Sequence, residues 1–382
     1  MALILATILR EEGETGVHTH VRQLRRYLSE HGTDVILITP LSRNRIVASI
    51  VFAINSVLRQ CSGSATVFWY LYWHKIFLQK ALRHQLTKIG ECVIYAQSPT
   101  AAQAALRARR GPHQRVIMAV HFMTSYADEF AAEYIKRDGR TFQSIRRAER
   151  RVIPQVDGIV YVSGPARKAL LAWLPGAETV SSAVINNFVA PLSATPIRVY
   201  RGDLVNVGSL GPLKNQRFLL EVLAETNRAA RPLTLDVFGD GPFRAELSQL
   251  ARSLGLDRQV RWHGFQRNVR DLLPGYKVYV HSSISESAVP LAIIEALAAG
   301  LPVVAGNVGG ISEIGEEGPE VRFWPLRDPV KAAAILIELL DSEPTRLEAA
   351  NAATARYYRD FDARIACSKL VSFLLAIRSL PE

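Results

Sequence analysis

Cysteine is scarce in this chain of 382 residues: there are three, Cys61, Cys92 and Cys367. Odd in number and widely scattered, they give neither a disulfide framework nor the paired spacing of a zinc cluster, and a reducing compartment is the simple expectation. Long apolar runs are missing too. The longest, Ile46 to Leu58, is 13 residues and contains Asn55 and Ser56, too short to span a bilayer. The opening MALILATIL has no basic leader and runs directly into Arg10-Glu11-Glu12, so it is expected to be a buried first strand rather than a signal peptide. The loop after it, REEGETGV, lacks the three-glycine dinucleotide fingerprint, which argues against a nicotinamide-binding domain. There is no internal repeat and no low-complexity tract.

What is present suits two α/β domains. Hydrophobic residues make up 48% of the chain, enough for two cores of roughly 190 residues each. The first half alternates strand and helix. Ala2 to Leu9 is an expected strand; Val17, Val21, Leu24 and Leu28 fall at helical spacing before Gly32; Val35 to Ile38 is the next strand. Strands follow at Val93 to Ala96, Val116 to Val120 and Gly158 to Val162, with helices opened by Ser98-Pro99, Arg140 and Ser163. Between Ser42 and Leu86 the pattern is less regular. Aliphatic residues from Ile46 to Leu58 and the aromatic run Phe68 to Trp73 are flanked by Arg43, Arg45, Arg59, Lys75, Lys80 and Arg83, which fits either a membrane-surface element or a core helix plus a strand. After Pro191 and Pro196, in a stretch from Val189 to Gly202 that has the composition of a linker, the alternation restarts. Strands are expected at Leu204 to Val207, Leu235 to Phe238, around Val260 and at Val278 to His281, and the last helices from Pro329, Thr345 and Ala363.

The most informative stretch runs from Ser282 to Glu313. Pro290 can open a helix because its missing N–H costs nothing in the first turn; Gly300 supplies a left-handed stop, and Val303-Val304-Ala305 leads into Gly309-Gly310. Glu286 precedes this helix and Glu295 lies inside it among apolar residues. An acid so placed either reaches solvent or a capping cation, or needs a ligand such as a sugar diol.

Ser283, Glu286, Pro290, Leu291, Glu295, Ala296, Ala298, Gly300, Pro302, Val303, Val304, Gly309, Gly310 and Glu313 together resemble the donor-site signature of family 4 glycosyltransferases, retaining enzymes with the GT-B fold. In one respect the chain departs. The two glutamates stand nine positions apart rather than eight, so either Ser287 fills the first glutamate's place or the loop carries one extra residue, the option preferred because loops absorb insertions.

The resemblance implies an α/β protein of GT-B type, two Rossmann-like domains facing each other across a cleft. Residues 1–190 would bind the acceptor and residues 191–365 the nucleotide sugar, with 366–382 packing back on the first domain as a helix. Gly16 resembles the glycine turn that approaches the donor phosphate, though simple turn chemistry also accounts for it. His121, at the carboxyl end of its strand, falls in a segment that in the family lies against the donor sugar. Ile185-Asn186-Asn187-Phe188 stands where the family has Ile-Pro-Asn-Gly. In the second half Gly208-Ser209-Leu210 and Lys214 match the diphosphate-binding Gly-Arg-Leu and Lys, with Ser209 in the arginine's place. Phosphate binding would then rest on Lys214, backbone amides and a helix N-terminus. Gly239 belongs to a Gly-x-Gly-Pro turn, and Gly264 sits where backbone would face the base. The implied catalytic set is His121, Lys214 and Glu286; the donor-binding set is Gly16, Gly208, Ser209, Lys214, Gly239, Gly264, Glu286, Pro290, Leu291 and Glu295.

No metal site and no cofactor is expected, the nucleotide sugar being a substrate. Asp360-Phe361-Asp362 spells the metal-binding Asp-x-Asp of the other large glycosyltransferase fold, but it sits where it caps a C-terminal helix. Expected partners are a UDP-, GDP- or ADP-linked sugar and a glycan or lipid-linked acceptor, with a hexosyltransferase serving polysaccharide synthesis as the implied enzyme. An epimerase or hydrolase using the same cleft, or a non-catalytic nucleotide-sugar-binding protein, are the alternatives. Charge is lopsided: residues 1–190 hold 24 Lys plus Arg against 13 Asp plus Glu, and residues 191–382 hold 22 of each. That excess suits a cytoplasmic protein peripheral to an anionic membrane, a merely solubilising charge being the other account. No nucleic-acid recognition module is found.

Overall fold

Short apolar runs, buried on both faces in central strands such as Leu3–Ala6, Cys92–Ala96 and Gln114–Val120, build two six-stranded sheets. The computed structural model describes residues 2–13, 15–43, 45–131, 134–192, 200–314 and 318–379. The chain divides into two compact units, Met1–Asn186 with Ala366–Glu382, and Asn187–Ile365.

The first unit runs β1 (Leu3–Ala6), α1 (Gly16–Glu30), β2 (Val35–Ile38), α2 (Arg45–Cys61), α3 (Gly63–Leu86), β3 (Cys92–Ala96), α4 (Pro99–Ala108), β4 (Gln114–Val120), α5 (Tyr126–Ala131), α6 (Arg140–Val152), β5 (Gly158–Tyr161), α7 (Gly164–Trp173) and β6 (Ser182–Val184). Its strands pair in the order β2-β1-β3-β4-β5-β6, all parallel. Ser98 and Ser163 accept from the backbone N–H three residues on, at Ala101 and Ala166, and so start α4 and α7 where the sequence places them.

The stretch from Ser42 to Leu86 corrects one expectation, because no strand forms there among the described residues. Phe68 to Trp73 lie within α3, whose start is fixed by the Ser62 side chain accepting from Ala65 N. A continuous apolar run cannot separate a period of 2 from one of 3.6, and packing decides: Phe77, Leu78, Leu82 and Leu86 repeat along the buried face of a helix. In α2 only Ala48 is buried.

The second unit runs β7 (Gly202–Val207), α8 (Gln216–Arg228), β8 (Leu235–Phe238), α9 (Arg244–Ser253), β9 (Val260–Gly264), α10 (Val269–Leu272), β10 (Tyr276–His281), α11 (Leu291–Ala298), β11 (Val303–Gly306), β12 (Val321–Trp324), α12 (Pro329–Asp341) and α13 (Glu343–Asp360). Strand order is β12-β11-β10-β7-β8-β9. One face is covered by α8 and α12 through Leu219, Leu223, Leu336 and Leu339. The other takes Ile293 and Leu297 of α11 and Tyr357 of α13. Of the expected linker, residues 193–199 lie outside the described residues. Its first residue, Val189, is built into this unit: its N–H donates to Phe361 O at 3.2 Å and its carbonyl accepts from the Tyr357 hydroxyl at 3.0 Å. The final helix, α14 (Ala363–Arg378), joins the first unit from Ala366 onward, where Arg378 makes a paired contact with Glu91 at 2.7 and 2.9 Å.

Each sheet has one place where successive strands depart to opposite sides, between β1 and β3 in the first and between β7 and β10 in the second. In open parallel sheets the crevice at such a switch, beyond the carboxyl ends of the strands, is where ligands bind. Glycines let the backbone close up there. Gly239, after β8, has φ +130°, and a Cβ on it would lie 1.9 Å from the Gly208 carbonyl oxygen after β7. Gly239→Ala should therefore lower the thermal midpoint clearly, by about 1–3 kcal/mol of stability, when unfolding is followed by circular dichroism; an unchanged midpoint would mean that this turn yields freely.

Candidate functional site

At the second unit's switch point the chain leaves β7 through Gly208-Ser209 and a short turn, Pro212–Lys214, that ends with Asn215 in the left-handed region, φ 51°. The chain leaves β10 at His281 and enters the loop to α11. Three side chains meet between them. Lys214 Nζ lies 2.5 Å from Glu286 Oε1, and His281 Nε2 lies 3.1 Å from the same oxygen. Backbone ties hold the two loops together, with Ser282 Oγ donating to Lys214 O at 2.7 Å and Ile284 N to Leu213 O at 2.9 Å.

Electrostatics fix the charge states. Burial raises the pKa of Glu286, but the hydrogen bond from His281 and the Lys214 charge outweigh it and bring the carboxyl down to about 2. Burial holds His281 below the ordinary histidine value, against the pull of Glu286. A neutral His281 that faces a carboxylate must carry its proton on Nε2 and donate it, while its Nδ1 lies 3.4 Å from the Tyr279 hydroxyl. The loop is braced from behind: Gly310 N donates to Glu286 O at 2.9 Å, and a Cβ on Gly309, φ +52°, would lie 1.9 Å from that same oxygen. Asn187 Nδ2 donates to Val289 O at 3.2 Å, which ties the Ile-Asn-Asn-Phe element to this loop.

The same unit holds further residues singled out in the sequence. Gly208 and Gly264 face open space, with no heavy atom within 4 Å of where a Cβ would stand. Gly264 carries φ +65°, and its carbonyl accepts from Gly239 N at 2.8 Å. Ser209 presents its carbonyl to Gln216 Nε2 at 2.9 Å. Pro290 is the N-cap of α11, and half-buried Leu291 is its first residue. Glu295, one turn further on, is half-buried, and burial raises its pKa while Arg270 acts in the opposite direction. Among the described residues no hydrogen bond or ion pair engages its carboxylate. The buried hydroxyl of Ser283 also lacks a hydrogen-bond partner among them.

In the first unit His121 follows β4 and reaches Gln97, just after β3, with Nε2 3.0 Å from Oε1. The Gln97 amide nitrogen donates to Tyr95 O, so Oε1 accepts and His121 Nε2 is the donor. Burial lowers its pKa to about 4, so the ring is neutral at pH 7. The His20 ring lies edge-on to it, centroids 5.2 Å apart. Gly16 opens α1 one turn before His20. Sequence reasoning passed over His20, Gln97 and His281, because the first sits in an apolar helical stripe and the other two close strands, where a polar residue looks like an ordinary terminus. The Asp-x-Asp carboxylates go to separate arginines: Asp360 to Arg356 at 2.5 Å, and Asp362 to Arg364, whose backbone N it also accepts at 2.8 Å.

Two parallel-sheet units, each with one switch point in its strand order, define a class, and solved structures agree with it. Anabaena HepE crystallised with UDP-glucose superposes with a TM-score of 0.71, covering 98% of this chain and 100% of that one at 18% identity; the fold is GT-B. Family models for "Glycosyltransferase Family 4" and "Glycosyl transferases group 1" match residues 15–191 and 201–342. The chain belongs to this glycosyltransferase family. One component of human phosphatidylinositol N-acetylglucosaminyltransferase is 26% identical over 78% of the chain, which spans 60% of that relative's length. A putative colanic acid biosynthesis glycosyltransferase of Salmonella typhimurium, WcaL, is 25% identical over 46% of the chain and 45% of its own length.

The low value at Glu286 has a measurable consequence. Its pKa falls from 4.5 to about 2 on folding, so the stability from its pairing is complete above about pH 4.5 and is lost as the pH drops towards 2. Thermal midpoints measured across that window should fall less steeply in Glu286→Gln than in the parent. Parallel curves would show that the carboxylate is not held by its neighbours.

Proposed function

We propose that this chain transfers a hexose from a nucleotide sugar to a glycan or lipid-linked acceptor, with retention of configuration, in the synthesis of a cell-surface or extracellular polysaccharide. The second unit takes the donor and the first unit the acceptor. The observation that carries this is the Lys214–Glu286–His281 cluster at the β7/β10 switch point, in the same unit as a Glu295 carboxylate that no hydrogen bond or ion pair engages among the described residues. Lys214 is the cation for the leaving diphosphate, where stabilising charge that grows in the transition state lowers the barrier most. Glu295 accepts from the ribose hydroxyls. Glu286 orients Lys214 and faces the sugar, and the open glycines Gly208 and Gly264 let the donor come close to the backbone. His121, neutral and donating through Nε2, is the first unit's candidate for a reacting group, as the family resemblance implies.

No essential metal and no cofactor enters this scheme, since Lys214 and backbone amides fill the role of a divalent ion. The donor is a UDP-, GDP- or ADP-linked sugar. The reducing compartment inferred from the cysteines supports a cytoplasmic location. Among the described residues no helix is long and apolar enough to cross a membrane, but α2 exposes Ile46, Val47, Ile50, Ile54 and Val57, each 41% or more accessible. One apolar helix face beside Arg45 and Arg59 favours attachment in the plane of an anionic leaflet.

A thermal-shift panel of UDP, GDP, ADP and their sugars identifies the donor, since a ligand at 100 times its dissociation constant adds about 2.7 kcal/mol. Glu295→Ala should weaken nucleotide binding by about one to two orders of magnitude, the worth of a charge-assisted hydrogen bond or two, without a lower melting point. Lys214→Ala should reduce turnover by about a hundredfold or more. Chromatography of the products separates transfer from hydrolysis or epimerisation, which release free or altered sugar without acceptor. Donor stabilisation with no product would mark a binding protein instead.

A further inference from the structure

Between α3, α4 and α6 of the first unit lie two hollows that the transfer scheme does not use. The first, of about 110 Å³, is lined by Phe68, Leu71, Tyr72, Tyr126 and Ile145, with the Glu149 carboxyl at its wall. The second, of about 450 Å³, is lined by Lys75, Arg107, Arg147 and Arg151. Lys75, Gln103, Ser144, Ala148 and Val152 border both, so the two form one groove, apolar at one end and cationic at the other. Helical spacing creates it: Phe68, Leu71, Tyr72 and Lys75 lie at i, i+3, i+4 and i+7 of α3, and Arg147 and Arg151 one turn apart on α6.

The cationic end is uncompensated. Among the described residues no ion pair is made by Lys75, Arg107, Arg147 or Arg151, and the Lys75 ammonium is pushed below its ordinary pKa by burial and by the Arg107 charge. Glu149, the one carboxyl among the described lining residues, does not neutralise them. Glu149 Oε1 accepts from Tyr126 N at 2.7 Å, Oε2 is buried without a hydrogen-bond partner among the described residues, and burial raises the pKa to about 7 against the Tyr126 N–H and Arg146. Like charges held together without an acid leave a place for an anion, and guanidinium forks match phosphate oxygens in particular. Next to that place is a slot walled by aromatic and aliphatic side chains. Its wall, α3, packs against α2, with Trp69 Nε1 donating to Val51 O at 2.9 Å, and α2 carries the exposed apolar face.

We propose that this groove binds one anionic phospholipid of the membrane, its phosphate among Lys75, Arg107, Arg147 and Arg151 and a hydrocarbon chain along Phe68, Leu71 and Tyr72. The proposal deepens the membrane part of the reading above and does not depend on the transfer chemistry. It makes attachment a matter of one stoichiometric lipid site in addition to diffuse charge.

Flotation with phosphatidylcholine vesicles, with and without about one-third phosphatidylglycerol, tests it. Cations near an anionic leaflet bring about 1 kcal/mol each. Arg147→Glu/Arg151→Glu, and Ser144→Trp, which fills the groove without altering charge, should each weaken binding to the anionic vesicles by about tenfold or more, or 1.4 kcal/mol. The same-charge control Arg252→Glu/Arg258→Glu should change it less than twofold by that scale. Ile50→Asp should instead reduce binding to both kinds of vesicle, which separates loss of the α2 contact from loss of the groove. In a second arm, dihexanoyl phosphatidic acid below its micelle concentration should raise the melting point of the parent and not of Ser144→Trp. Equal stabilisation by inorganic phosphate or by a short oligonucleotide would overturn the lipid assignment, as would groove variants that bind anionic vesicles like the control. Turnover on a water-soluble acceptor should be unchanged in Ser144→Trp, so a dead enzyme and an empty groove give different results.

Discussion

The ion pair between Lys214 and Glu286 is the contact on which the second unit's site depends. It joins the loop after β7 to the loop after β10, two segments whose strands lie side by side but whose chains run to opposite edges of the sheet. With Glu286 removed, Lys214 would lose the ion-pair partner it has among the described residues; with Lys214 removed, Glu286 would keep the His281 hydrogen bond but lose the neighbouring charge in a largely buried place. In the proposed transfer a diphosphate would offer Lys214 a more highly charged partner than a single carboxylate, and His281 would still hydrogen-bond Glu286. Pairing of this kind fixes the place of the Lys214 ammonium.

Backbone geometry supports the pair. Gly309 and Gly310 let the end of one loop lie against Glu286 and Ala288 at distances no side chain would permit, and Gly239 does the same for the turn after β7. Position is thus transmitted through peptide groups, which bend little, rather than through side chains, which have rotamer freedom to lose. The neutral histidines fit the same logic. His121 and His281 are both buried enough to stay uncharged, so each presents a directed N–H to an oxygen, Gln97 in one unit and Glu286 in the other, without adding charge to its surroundings.

Much of this was legible in the sequence where the local code is strong. Pro290 before an apolar run and Gly300 after it define α11, and Gly300 adopts φ +67° as a helix stop requires. The order of strands and helices followed from alternation, and the placing of Lys214 and Glu286 in one expected donor-binding set from the family pattern. Where the code is weak, tertiary packing had to decide. Phe68 to Trp73 favour a strand or a helix equally by composition, and only the core under α3 selects the helix. Strand β12 is four residues long, Val321–Trp324, and carries Arg322, too little pattern to register beside the charged stretch before it. Long-range partnership was the least visible of all. Nothing in the order of residues says that His281 faces Glu286 or that His20 stacks edge-on to His121, because both meetings are made by the sheet.

The last helix leaves the second unit and completes the first. Gly158 of β5 has no side chain, and a Cβ there would lie 3.2 Å from Ile377 and 3.3 Å from Phe373 of α14. A ribosome makes the six strands of the first sheet early and the helix that covers this spot only after the entire second unit. Until then the nascent first unit has an uncovered apolar seam beside β5, so its folding cannot finish in the order of its synthesis. Quality control acting on the emerging chain would meet that seam for as long as translation of residues 187–365 lasts.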